Sequence, residues 1–159
     1  MQIHFSDLNF SFSPQAFTIL LASSDEKVLR FGGGVLRGAG FKVITCQSGM
    51  EVIAQFSNLP PILLVIDEQT EQLDGISTID RLYEDIRFRR SPLMFLTRKA
   101  GEYPLWATRQ DIQGAVVFLS LPFNLAEFLS FVSRCVQGII DGVFPTTNQE
   151  FPCADSPAP

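Results

Sequence analysis

Residues 60–75 read PPILLVIDEQTEQLDG, and this stretch decides the class of fold. After two prolines comes a short apolar run that ends on an acidic residue, Asp67. A run of this length without polar alternation is typical of a strand covered on both faces, as in a parallel sheet. Open sheets of this kind place their functional crevice at the carboxyl ends of the strands. We therefore predict a buried parallel strand with Asp67 at its functional end.

Apolar runs of the same character lie on either side of this stretch, separated by segments with helical spacing of their apolar residues. The predicted strands are residues 17–22, 41–46, 62–67, 91–97 and 115–120, and the predicted helices are residues 25–40, 48–58, 76–88 and 125–140. A short helix could also begin at Pro104. In residues 76–88 the predicted buried face includes Ile76, Tyr83 and Ile86. Alternation of strands and helices predicts a doubly wound α/β fold, a (βα)5 three-layer sandwich with a five-stranded parallel sheet.

The termini differ in pattern from the rest of the 159-residue chain. Residues 17–140 are the predicted domain. Residues 1–16 alternate apolar and polar residues and are predicted to be either a flexible arm or an extra strand, on this domain or on a second copy. Residues 141–159 are rich in Pro, Ser and Thr and are predicted to be a disordered tail.

Composition excludes several classes of protein. The net charge of −5 argues against direct nucleic-acid binding, which requires clustered cations. No apolar run is long enough to cross a bilayer and the N-terminus lacks a secretion signal, so we expect a cytoplasmic protein without membrane insertion. The three cysteines are far apart and His4 is the only histidine, which predicts neither a disulfide framework nor a zinc site.

Over about residues 17–138 the residues at the strand ends resemble those of response-regulator receiver domains, whose fold is the CheY-like, flavodoxin-like form of this sandwich. Asp67 stands at the family's phosphoacceptor position after the third strand, followed by Asp74-Gly75. Thr97 lies thirty positions further on, at the end of the fourth strand. Phe118 occupies the switch-aromatic position on the fifth strand, and Pro122-Phe123 follow it as in the family.

The resemblance implies a chemistry that this chain departs from. A family receiver binds Mg²⁺ through an acidic pair after the first strand and the aspartate after the third, which accepts a phosphoryl group from a histidine kinase or small phosphodonor. Here LLASSDEKV (20–28) puts Ser23 and Ser24 at the acidic pair. Leu121 stands where the family keeps a phosphate-binding lysine, and Arg98 replaces the small residue after the Thr.

These departures weaken a phosphorylation site. Neutral hydroxyls are poor ligands for Mg²⁺, which prefers anionic oxygens, and an alkyl side chain cannot neutralise a phosphoryl oxygen. We therefore expect Ser23, Ser24 and Asp67 to form a degenerate pocket that binds no metal and no cofactor. We also expect the protein to have no enzymatic activity. Adjacency at the strand ends also suggests a charge pair between Asp67 and Arg98, which would imitate the neutralised state without phosphate.

Three functions are compatible with the sequence. The first is a pseudo-receiver, a phosphorylation-independent protein–protein interaction module in bacterial signalling, with an unidentified protein partner and a homodimer formed through its last two helices and fifth strand. The second is a divergent single-domain response regulator still phosphorylated at Asp67, with Mg²⁺ held by Asp25, Glu26 or Glu68. The third is a sensor that binds a small ligand in a crevice made more apolar by Leu121.

Overall fold

A computed structural model of the chain describes residues 12–99, 102–111, 114 and 116–142. The strands are β1 (Thr18–Ala22), β2 (Lys42–Cys46), β3 (Leu63–Asp67), β4 (Leu93–Thr97) and β5 (Val116–Ser120). The helices are α1 (Glu26–Gly38), α2 (Gly49–Asn58), α3 (Gly75–Leu82) and α4 (Leu125–Ile140), with single 3₁₀ turns at Pro14–Ala16, Phe88–Arg90 and Leu105–Thr108. Each predicted strand is confirmed to within two residues at its ends.

The five strands form one parallel sheet in the order β2-β1-β3-β4-β5. Every residue of β3, β4 and β5 is buried, which explains their unbroken apolar sequences. In β2, an edge strand, only Cys46 is buried. The predicted doubly wound α/β fold is confirmed, and all carboxyl ends of the strands meet at one edge of the sheet.

Two apolar cores cover the two faces of the sheet. One face packs against α2, α3 and an aromatic cluster that includes Trp106, and the other packs against α1 and α4. Burial of apolar area on both faces is the main favourable free energy that holds the three layers together.

Each helix begins at a side chain that accepts hydrogen bonds from the first turn. Such N-caps satisfy backbone N–H groups that have no partner within the helix. The capping residues are Asp25 for α1, Ser48 for α2, Asp74 for α3 and Asn124 for α4. The Ser48 cap predicted from its spacing to Glu51 is confirmed by a 3.1 Å hydrogen bond from the Glu51 backbone N–H to the Ser48 hydroxyl.

The third helix is shorter than predicted. It ends at Leu82 instead of continuing to residue 88. Ile76 and Ile86, which were predicted to be buried, are 43% and 62% exposed. The Asp85 carboxylate accepts hydrogen bonds from the backbone N–H and the guanidinium of Arg87, which stabilises a turn at this point. Phe88 fills the core in place of Ile86, since its side chain is fully buried.

The segment between β4 and β5 also differs from a regular βα repeat. Among its described residues the helical structure is the 3₁₀ turn Leu105–Thr108, which follows Pro104 as predicted. Trp106 in this turn is buried, whereas Leu105 is 91% exposed. A single turn therefore covers the sheet near β5.

The predictions for the two termini fall mostly outside the described residues. This holds for residues 1–11 of the arm and for residues 143–159 of the tail. Within the described part of the arm, the Phe12 ring contacts the rings of Phe17 and Phe41, with centroids 5.7 and 6.1 Å away. None of the helices in the described ranges combines the length and the hydropathy that a bilayer crossing requires.

Candidate functional site

The carboxyl ends of β1, β3 and β4 bring four of the predicted site residues together. Asp67 is the last residue of β3 and is fully buried. Pairing of Ala22 with Ile66 places Ser23 beside it, and Thr97 with Arg98 follows from the neighbouring end of β4. The topology of the sheet therefore builds the cluster, because residues distant in sequence end their strands at the same edge.

Both oxygens of the Asp67 carboxylate are occupied by donors from the chain itself. The Ser23 hydroxyl donates to Oδ2 at 2.7 Å, and the backbone N–H of Gln69 donates to Oδ1 at 3.0 Å. The Arg98 guanidinium donates to Oδ1 at 2.7 Å and to Oδ2 at 3.2 Å. Charge-assisted bidentate bonds of this kind are among the stronger hydrogen bonds in proteins. The buried charge of Asp67 is thus neutralised by Arg98.

Arg98 connects this cluster to the first helix. Its guanidinium lies 3.8 Å from the carboxylate of Asp25, and its side chain is 31% exposed. The hydrogen bond to Asp67 is the main cause that raises the pKa of Arg98 above its ordinary value, with smaller contributions from the nearby acidic charges. The side chain is therefore held as a cation between two carboxylates.

Glu68 fixes the end of β4 from the neighbouring strand. Its carboxylate accepts hydrogen bonds from the Thr97 hydroxyl at 3.1 Å and from the backbone N–H of Arg98 at 2.9 Å. The Thr97 hydroxyl also accepts a bond from the backbone N–H of Lys99. Glu68 thereby positions Arg98, whose side chain neutralises Asp67. Sequence reasoning did not find this role, which only pairing of the strands reveals.

Ser24 and Asp25 make structural hydrogen bonds at the end of β1 and the start of α1. Ser24 joins the neighbouring loop through its backbone N–H, which donates to the Gln69 carbonyl at 2.8 Å. Asp25 caps α1 by accepting a bond from the backbone N–H of Lys27 at 2.9 Å. The structure therefore places Ser23, but not the Ser24 hydroxyl, in hydrogen-bond contact with Asp67.

Leu121 directly follows β5. Its backbone N–H donates to the Thr97 carbonyl at 2.8 Å, while its side chain lines a groove of about 580 Å³ between α1 and the start of α4. We call this the α1–α4 groove. Arg98 and Asp25 line the end of the groove that faces the Asp67 cluster.

Phe118 on β5 is buried within a cluster of aromatic rings. Trp106 stacks on it with a centroid distance of 5.9 Å, and Tyr103 meets it edge-on at 4.8 Å. Phe95 from β4 contacts it from the side at 5.9 Å. The aromatic side chain at this position therefore points inward and is enclosed by its neighbours.

The residues of the cluster do not fit a Mg²⁺ site. Mg²⁺ requires carboxylate oxygens and water in octahedral geometry, but here both Asp67 oxygens accept hydrogen bonds and a cation already contacts them. Within the described ranges, no group of three His, Cys, Asp or Glu side chains is arranged to hold a metal. Cys46 and Cys135 are buried free thiols in separate apolar cores.

Comparisons with known proteins show what the chain is similar to. No model of a known protein family matches the chain. It is 24% identical to protein PilG of Pseudomonas aeruginosa over 118 residues, which are 74% of this chain and 86% of PilG. It is 28% identical to response regulator Rre1 of Synechocystis over 123 residues, although the match spans only about half of Rre1, 51%.

A solved structure is similar to this chain in fold. The putative response regulator of Chloroflexus aurantiacus superposes with a TM-score of 0.65 and 25% identity, over 76% of this chain and 98% of that one.

Proposed function

We propose that this chain is a response-regulator receiver domain and that it acts without phosphorylation as a protein–protein interaction module in bacterial signalling. The observation that carries the proposal is the contact between Asp67 and Arg98. Phosphorylation of a receiver aspartate changes the charge at the strand ends and the groups bound there. In this chain a side chain already binds both oxygens of that aspartate.

The surroundings of Asp67 support the proposal. A phosphoryl donor is an anion, and its approach to a carboxylate depends on positive charge placed around the transferring group. The cation present here, Arg98, is engaged by Asp67 itself, and Leu121 supplies an apolar side chain in place of a second cation. Phe118 points inward, where the ring of Trp106 stacks on it.

The partner of the module is a protein, and self-association is part of the proposal. The edge strand β5, the exposed Leu105 beside it and α4 form the face through which two copies would pair. Sedimentation velocity over a range of concentrations tests this part. If the protein were a monomer at every concentration, self-association would be excluded, but interaction with a different protein would not.

The competing function is a response regulator that is still phosphorylated at Asp67. It requires Arg98 to leave the carboxylate and acidic side chains to gather around a metal. Glu68 is occupied by Thr97 and by the backbone of Arg98, and Asp25 caps a helix. These contacts would all have to be replaced for the metal to bind, which makes this function the weaker proposal.

The test is exposure of the purified protein to Mg²⁺ with acetyl phosphate, and separately with beryllofluoride. We expect no gain in intact mass and no change in the fluorescence of Trp106, the only tryptophan. A receiver with its full acidic site, treated in parallel, shows that the donor is active. A Mg²⁺-dependent gain in mass that disappears in Asp67→Ala would overturn the proposal in favour of a working switch.

A second candidate function is a sensor for a small ligand. The α1–α4 groove favours it, because a volume of about 580 Å³ lies within the range typical of small-molecule sites. This function is compatible with the first, since neither uses a phosphoryl group.

A further inference from the structure

The α1–α4 groove is a mostly apolar hollow on the surface of the described residues. Its apolar lining comes from α1, from the turn after β5 and from the start of α4, and consists of Val28, Phe31, Leu121, Pro122, Phe123 and Leu125. Phe31 is 60% exposed, a large apolar area for a side chain on a helix surface. Arg98 at the rim is already paired with Asp67 and Asp25, so charge does not select an occupant. Covering this surface with apolar groups is favourable.

The backbone of α1 allows one wall of the groove to form. At Gly32 an added Cβ would lie 3.1 Å from the Leu21 side chain and 3.7 Å from the Phe123 ring. The glycine therefore lets Phe123 approach the helix closely, and Phe123 in turn stacks on Phe128 with centroids 4.7 Å apart. Phe123 is thus fixed by packing and presents a rigid side to an occupant.

The amino-terminal arm enters the described structure on the same face of the sheet as the groove. The rings of Phe12 and Phe17 pack against the core that α1 and α4 cover. Pro14 and Gln15 lie beside Gly40, just after the end of α1, where an added Cβ would be 3.3 Å from each of them. The residues before Phe12 therefore start next to the carboxyl-terminal end of α1, on the face that carries the groove at its other end.

The arm is long enough to reach the groove from this point. The 13 residues of α1 rise about 20 Å. An extended chain advances about 3.3 Å per residue, so the seven steps from Phe12 back to Phe5 span about 23 Å. Gly38, which is exposed and lies two turns beyond Phe31 on the same side of the helix, carries no side chain that would obstruct this path.

The composition of the arm suits an apolar groove better than that of the carboxyl-terminal tail. Residues 1–11 contain five large apolar side chains: Met1, Ile3, Phe5, Leu8 and Phe10. Leu8 and Phe10 are spaced by two from Phe12, so an extended arm would turn them towards the face on which Phe12 is packed. Residues 143–159 are longer, but their large apolar side chains are only Val143, Phe144 and Phe151.

We propose that residues 3–10 of the same chain lie along α1 and α4 and that the Phe5 side chain fills the α1–α4 groove beside Phe31. The arm then competes with any ligand of the groove, so it adds autoinhibition to the second candidate function. The packing of the arm does not depend on that function. It also involves neither the Asp67 carboxylate nor the β5 face.

Cross-linking within the full chain tests the position of the arm. His4→Cys places a thiol beside Phe5, and Lys27→Cys places a second thiol on the rim of the groove. Cys153→Ser removes the cysteine of the tail, and the two other native thiols are buried, at Cys46 and Cys135. We expect a short bis-maleimide to join the two introduced thiols within one chain, as mapped by peptide mass.

The matched control moves the second thiol to the edge of the sheet. Thr45→Cys in place of Lys27→Cys uses an exposed position on β2, at the same end of the sheet as the groove. We expect the cross-link to be lost. A cross-link to Thr45→Cys alone would place the arm on the sheet edge, and a cross-link between two chains would assign it to a second copy. Either result, or no cross-link in either variant, would overturn the proposal.

Opening of the groove is tested with N-phenyl-1-naphthylamine, a neutral apolar fluorophore. Phe5→Ser should raise its affinity by about tenfold, because the groove loses a buried aromatic occupant. Adding Phe31→Ser should remove that gain, since it takes an aromatic side chain from the wall. Phe151→Ser, the same replacement in the tail, is the matched control and should leave the affinity unchanged. Near-ultraviolet circular dichroism verifies native packing, because loosely packed states bind apolar dyes without specificity.

The outcomes separate this inference from the proposed function. Equal affinity of the unchanged chain and Phe5→Ser for the fluorophore, or a gain in Phe151→Ser instead, would overturn the arm as the occupant. Phosphorylation of Asp67 in the acetyl phosphate experiment would overturn the phosphorylation-independent function but not the position of the arm. The two experiments therefore fail independently.

Discussion

At the scale of single residues, Asp67 is a carboxylate whose partners all come from the same chain. Ser23, Gln69 and Arg98 supply four hydrogen bonds to its two oxygens. Burial of an ionised carboxylate is unfavourable unless it is paired and hydrogen-bonded, so these donors determine whether Asp67 is tolerated in the core.

Arg98→Ala should lower the free energy of unfolding by about 1–3 kcal/mol, because it leaves Asp67 buried without its cation. The loss is expected below that of a fully buried pair, since the Arg98 side chain is 31% exposed and water screens part of the interaction. Urea unfolding at pH 7 measures it. Arg87→Ala removes an exposed pair with Asp85 and should change stability much less than Arg98→Ala does.

A double-mutant cycle tests whether the loss of stability in Arg98→Ala comes from its interaction with Asp67. Adding Asp67→Asn to Arg98→Ala removes the charge that was left unpaired, and should recover part of the lost stability. If the double variant were less stable than Arg98→Ala by the full effect of Asp67→Asn alone, the two side chains would not be coupled.

The sequence predicted part of this arrangement and missed part. Asp67, Ser23 and Arg98 could be placed at one edge because each ends a predicted parallel strand. The role of Glu68 could not, because it depends on the register of β3 against β4, which places Glu68 beside Thr97 and Arg98. A charged residue after a strand gives no signal of which neighbour it will contact.

At the scale of elements, the three consecutive glycines of α1 have different surroundings. Gly32 faces Leu21 and Phe123, whereas a Cβ at Gly34 would meet no atom within 4 Å. The sequence indicated that glycines in this helix allow close packing, but periodicity alone did not tell which of them does. Gly32 lies against β1 and the turn after β5, whereas a Cβ at Gly33 would lie 3.2 Å from the Arg37 guanidinium.

Gly34→Ala should therefore raise the free energy of unfolding by about 0.5–1 kcal/mol, because alanine loses less conformational entropy in a helix and meets no steric obstacle. Gly32→Ala is the matched variant. It should gain less or lose stability, since its Cβ would lie 3.1 Å from the buried side chain of Leu21. Thermal unfolding followed by circular dichroism compares the two. Equal increases in stability for Gly32→Ala and Gly34→Ala would mean that α1 can shift on the sheet to accommodate the added Cβ.

The third helix shows why element boundaries are harder to predict than elements. Residues 76–88 keep helical spacing of apolar residues to the end, but the chain leaves the helix at Leu82. A local bond network between Asp85 and Arg87 competes with the helix, and Phe88 offers a larger apolar side chain to the core than Ile86. The spacing of apolar residues does not show that a local hydrogen-bonded turn competes with the helix.

At the scale of the whole molecule, the two described cysteines report on global unfolding. Burial raises the pKa of the Cys46 thiol to about 11, with a smaller effect from Glu51, and raises that of Cys135 to about 12. Their ordinary value is 9.0. Since the folded state favours the protonated thiols, their contribution to stability is complete below pH 9 and is lost as pH rises towards 11–12.

Labelling with a thiol reagent at pH 8 should therefore be slow at Cys46 and Cys135 in the native protein and fast in urea, because the thiolate is the reactive form. Peptide mapping assigns each modified position. As pH increases above 9, the free energy of unfolding from urea titrations should decrease, and less so in Cys135→Ala. Rapid native labelling of both positions at pH 8 would show that the cores open locally.

The contact between Asp67 and Arg98 also has a consequence for timing. A phosphoaspartate in a receiver is made and hydrolysed, so its lifetime limits the duration of a signal. The guanidinium–carboxylate pair forms when the chain folds and persists as long as the fold does. Under the proposed function the duration of the signal is therefore set by synthesis and degradation of the protein, and its strength follows the number of copies present.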